Sequence, residues 1–248
     1  MIQAEKKLPA LTTILWLILF SIAMGYMEAA VVIYLRKIFY PDGFQFPLVS
    51  LDAGTGLVEI FREAATIIML VGVGILAAGT ASLKFAFFLF CFAIWDLFYY
   101  FFLWVFLSWP QSLFTWDILF LIPIPWVGPV MAPCIISLTM LLLASLIIHF
   151  QRKKLNSRID LKEWLFLITG SLVVILSFVW DYLRYTTNAS TKTQLLINQE
   201  HLLIELKEYV PVEFNWPLFI TGEAILLAGI LIFYNRIKTK KSGTNKHR

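Results

Sequence analysis

Residues 85–107 read FAFFLFCFAIWDLFYYFFLWVFL, twenty-three residues with a single charge, Asp96. A helix needs about 20 apolar residues to cross the hydrocarbon core of a bilayer. A run this apolar on every side has no face to turn toward water, so lipid or protein must cover all of it. Five further runs repeat the pattern, at approximately 9–35, 61–82, 130–150, 164–183 and 216–235. The fold class this predicts is all-α: a polytopic membrane helix bundle of about six transmembrane helices, forming a single membrane domain over 1–248.

Composition agrees. Of the 248 residues, 60% are hydrophobic and 15% charged, with a mean hydropathy of +0.79. A soluble chain carries about 25% charged residues, and so few charges cannot build a water-facing surface. The net charge of +4 does not point to nucleic acid, because Lys and Arg sit in short clusters between the apolar runs. That distribution orients membrane helices. Cys91 and Cys134 lie inside apolar runs with no CxxC pattern and read as packing residues. The first run is too long for a signal peptide and lacks a small-residue cleavage site, so it reads as a retained helix.

Orientation follows from the basic residues. With the N-terminus inside, fourteen Lys and Arg fall on the inner side and five on the outer, counting connections and tails. The expectation is a cell-membrane, multi-pass protein with cytoplasmic N- and C-termini. Two connections are long. Residues 112–129 hold only about ten apolar residues before Pro123, too few to span. They read as an outer-side interfacial or re-entrant segment, and such backbone needs protein or a wet cavity around it. Residues 194–210, QLLINQEHLLIELKEYV, place leucines near helical spacing between charges and read as an outer amphipathic helix.

Ionisable groups inside a membrane cost roughly 2.5–3.5 kcal/mol each and mark functional sites by default. Glu28, Arg36, Glu59, Arg62 and Glu63 all fall in the outer half, with Asp96 near the middle and Tyr100 one turn further out. A second tier comprises Asp117, Asp181, Arg184 and Glu223. Spacing puts Arg62 within reach of Glu59 on one helix face. Glu28 and Arg36, eight apart, also share a face, as do Asp96, Tyr99 and Tyr100. Trp-Asp occurs at 95–96, 116–117 and 180–181. The expectation is a polar cavity opening toward the outer side. Arg36 and Arg62 would hold an anionic group or neutralise carboxylates, and Asp96 would respond to protons or cations. Buried Arg–carboxylate pairs that only fix helix register are the competing reading.

Other chemistries have little to stand on. His149, His201 and His247 offer no pair for haem or zinc. There is no GxSxG elbow and no P-loop. No metal site and no cofactor are assigned, although a carboxylate-only divalent cation site stays open. Gly72 and Gly74 read as close-packing positions.

The strings MEAAVVIYLR (27–36), REAATIIML (62–70), WDLFYYFFLW (95–104) and WDILFLIPIPWVGPVMAP (116–133) resemble a group of uncharacterised prokaryotic multi-pass membrane proteins. The resemblance covers roughly the first 135 residues. It implies a membrane location and no particular activity. Three functions are compatible with the residues: a protein binding or transporting a small solute or ion, an intramembrane enzyme acting on a lipid-linked or periplasmic substrate, and a non-catalytic subunit or assembly factor. The expected partners are the lipid bilayer, a small solute, ion or lipid-like ligand, and for the third reading another membrane protein; no nucleic acid is expected.

Overall fold

The computed structural model describes residues 11–49, 52–153, 155–188 and 208–245. Six helices are each long and apolar enough to cross a membrane, among the described residues. They are α1 (Leu11–Phe39), α2 (Ala53–Ala77), α3 (Ala81–Leu107), α4 (Met131–Arg152), α5 (Leu161–Asn188) and α6 (Trp216–Asn245). The chain is an all-α polytopic bundle and reads as an integral membrane protein. The amphipathic helix expected over 194–210 lies almost wholly outside the described residues.

Helix ends follow local chemistry more than the apolar windows do. α2 begins eight residues before the apolar run read at 61, because Asp52 caps it and accepts from the Thr55 backbone N–H at 3.1 Å. Glu59, Arg62 and Glu63 therefore sit well inside a helix instead of at its start. Thr80 caps α3 in the same way, and Ser108 ends it in the left-handed conformation (φ 52°), its N–H donating to Trp104 O. α5 and α6 run on as polar helix past the apolar windows.

Helix α3 is the most enclosed span. It packs against α1, α2 and α4, while α5 packs along α6. Glycines set the close approaches. A Cβ on Gly25 of α1 would stand 2.9 Å from Trp95 O, and one on Gly222 of α6 would meet Val174 Cγ2 of α5 at 2.7 Å. Small residues at helix contacts permit this packing in membranes. Gly74 behaves as expected, close against Lys84 and Phe88, but a Cβ on Gly72 would meet nothing within 4 Å. Gly72 is thus not a packing position; it faces outward from α2.

Between α3 and α4 the chain forms an antiparallel hairpin of β1 (Trp116–Phe120) and β2 (Trp126–Pro129), pairing Trp116 with Pro129, Asp117 with Gly128 and Ile118 with Val127. The helical reading frame gave no sign of strands here. Prolines at 123, 125 and 129 remove donors that a helix would need, whereas an antiparallel pair leaves alternate N–H groups free of the ladder. The hairpin is enclosed by protein: Val127 is fully buried, and Trp126 stacks on Phe178 of α5 at 6.3 Å between ring centroids. The ends of α1, α3 and α5 and the starts of α2, α4 and α6 lie at this hairpin end. At the opposite end Arg236 joins Glu163 at 2.6 Å, tying α6 to α5.

Candidate functional site

Four elements position the charged residues of this site: α1 carries Glu28 and Arg36, α2 carries Glu59, Arg62 and Glu63, α3 carries Asp96 and β1 carries Asp117. In the last full turn of α1, Arg36 sits in the corner of two aromatic rings set at 86° to each other, its guanidinium carbon 3.6 Å from the Trp109 centroid and 4.2 Å from that of Phe44. Such stacking stabilises a cation withdrawn from water. Arg36 Nη2 donates to Asp117 Oδ1 of β1 at 3.0 Å. Its Nη1 has no hydrogen-bond partner among the described residues. One helix over, Arg62 of α2 donates through Nε to Glu59 Oε2 at 2.9 Å and forms an ion pair with Glu28 of α1. Thr66, one turn along the same face, donates to Glu28 Oε2 at 3.0 Å.

Glu63 accepts the Leu121 backbone N–H, at 3.1 Å on Oε1 and 2.9 Å on Oε2, which fixes the hairpin to α2. Asp96 of α3 accepts from Ser137 Oγ of α4 at 2.8 Å. Asp117 is buried, at 2% exposed. Burial pushes its carboxyl up to about 6, against the opposing pull of the Arg36 charge.

These groups enclose a cavity of about 170 Å³, room for about five waters at ~30 Å³ each. Glu28, Arg36, Glu59, Arg62, Glu63, Asp96 and Tyr100 all line it, joined by Asp117 from the second tier. Asp181, Arg184 and Glu223 do not. Asp181 accepts from Tyr209 Oη at 2.7 Å and from the backbone of Val212 and Glu213, clamping the end of α5 to the segment entering α6. Glu223 takes a hydrogen bond from Thr139 Oγ1 at 2.8 Å and joins α6 to α4. Arg184 is exposed on α5.

The pairing differs from what single-helix spacing suggested. Glu28 and Arg36 do share a face, but each reaches across to another element for its partner. Arg36 and Arg62 are both engaged by carboxylates, so the cavity holds five carboxyl groups against two guanidinium groups. Sequence reading placed Tyr99 on the Asp96 face but missed the aromatic lining from Tyr40 and Phe44, and the roles of Thr66 and Ser137. Thr66 could have been found, since it lies four residues from Arg62 on the same face. Ser137 could not, because only the α3–α4 crossing brings it to Asp96. Among the described residues no three His, Cys, Asp or Glu side chains are grouped to hold a metal ion, so the open question of a carboxylate-only divalent site gains no ready-made ligand set.

Comparison with protein-family models, with curated proteins and with solved structures gives no match.

Proposed function

We propose that this is a membrane protein that binds a small positively charged solute, or the protons that replace one, in the cavity at the hairpin end, and transports it. One observation carries the reading: five carboxyl groups and two guanidinium groups line one cavity, and both guanidinium groups are already paired with carboxylates. An unpaired charge held out of water costs several kcal/mol. The surplus acids therefore need protons or an added cation. Aromatic rings beside carboxylates suit an organic ammonium group, which is attracted to ring faces. By the distribution of Lys and Arg, the hairpin end faces the extracytoplasmic side of the cell membrane and both termini face the cytoplasm.

Ethylammonium binding to the detergent-purified protein, measured by equilibrium dialysis, tests this. The wild type should bind it with an affinity that weakens at acid pH, and the Glu63→Gln/Asp96→Asn variant should lose binding. Equal binding by both proteins, or none by the wild type, would remove the basis for the reading.

The ion pairs also favour a second reading. Arg62 joins α1 to α2 and Arg36 joins α1 to the hairpin, which is what a purely structural network in a subunit or assembly factor would do. That reading predicts a folded protein after Arg62→Met with Glu63→Leu, and a partner polypeptide that co-purifies.

A further inference from the structure

Beside the polar cavity lies a second one, of about 250 Å³ and almost wholly apolar. It occupies the seam between α3 and α4 on one side and α5 and α6 on the other. Leu89 and Phe92 of α3, Met140 and Leu143 of α4, Val174 of α5 and Ile230 of α6 form its walls. An apolar cavity of ~150 Å³ stays dry and takes up benzene, so this one accepts a longer piece of hydrocarbon.

The two cavities adjoin across a shared wall. Asp96, Leu119 and Phe120 line both. Asp96 stands at the junction, its Oδ2 held by Ser137, which itself lines the apolar side. A molecule filling both spaces must be polar at one end and hydrocarbon at the other. The surplus of carboxyl groups sets the sign of its polar end.

Resting on the cation-site reading above, we infer that the ligand is a single-chain amphiphile with an ammonium head. The ammonium sits among Glu63, Asp96 and the Arg62-linked carboxylates. The hydrocarbon tail passes Asp96 and lies in the seam between α3, α4, α5 and α6.

The test is a chain-length series, ethylammonium to n-decylammonium, bound to the full-length protein in a nonionic detergent and followed by native mass spectrometry. Met140→Trp fills the apolar cavity from one wall, and Ile136→Phe does so by a smaller step. Comparing each variant with wild type at the same ligand cancels partition into the micelle. Burial of each methylene tightens binding about fourfold. The variants should therefore match wild type for ethylammonium and bind n-decylammonium about tenfold or more weakly. If ethylammonium binds but the variant-to-wild-type ratio is flat along the series, the cation site stands and the tail assignment falls. If decanoate binds as tightly as n-decylammonium, the ammonium head is wrong. If no ammonium of any length binds, the cation site and the amphiphile both fall.

Discussion

Arg36 Nη2 and Asp117 Oδ1, 81 residues apart in sequence, meet at 3.0 Å with both side chains less than a tenth exposed. This contact joins the last turn of α1 to the first strand of the hairpin, and the hairpin closes one side of the polar cavity. Leu121, held by Glu63, anchors the hairpin on α2. The cavity is therefore closed by side-chain charges instead of by helix packing alone.

Removing one partner of a buried ion pair is costly because the other is left uncompensated, about 3–5 kcal/mol. Arg36→Met should lower the thermal midpoint of the purified protein by a large step, and Asp117→Leu likewise. The double variant should be more stable than either single one, since no lone charge remains. Additive losses in the double-variant cycle would show that the pair is not coupled as described.

Asp117 gives a pH signature. Its folded-state value, raised by burial from 3.8 to about 6, lies above its ordinary one, so the folded protein takes up a proton that the unfolded chain does not. The stability this carboxyl contributes is fully present below about pH 4, declines between ~4 and ~6, and is gone above that window. Asp117→Asn lacks this dependence. The melting midpoint of wild type minus that of the variant should fall as pH rises from 4 to 6.5; a difference that grows with pH would contradict the assignment.

The α5–α6 contact is tested by adding one methyl group. Gly222→Ala would force a Cβ to 2.7 Å from Val174 Cγ2 and 2.9 Å from Val174 N. Overpacking of this kind costs about 1–3 kcal/mol. Gly72→Ala meets nothing within 4 Å and should be neutral or stabilise by up to about 1 kcal/mol through helix propensity. Melting midpoints of the two variants should move in opposite directions or differ clearly in size.

Much of this architecture was legible because bilayer thickness imposes a length on apolar runs. The stretch around Asp96 shows why the site was legible too: a lone carboxylate among aromatic residues has no local partner, so it must find one on another helix. Glu28, Glu59, Arg62 and Glu63 were marked as ionisable groups set within the outer half of a membrane protein. The hairpin was hidden because its strands are short, with prolines in the turn and at the end of β2, and its pairing depends on the helices around it. Partner choice was hidden as well. Single-helix spacing put Glu28 and Arg36 on one face, but the crossing of α1 with α2 sends Glu28 to Arg62, and the hairpin's return sends Arg36 to Asp117. Gly72 and Gly74 look alike in sequence, and only the placement of α3 separates them.

The most direct measurement is native mass spectrometry of the wild-type protein released from membranes in mild detergent, beside Glu63→Gln/Asp96→Asn. The account predicts an added mass of a small amine-bearing molecule on the wild type, absent from the variant, with both proteins equally folded. A bare wild type, or one carrying only another polypeptide, would contradict it and favour charges that serve packing alone.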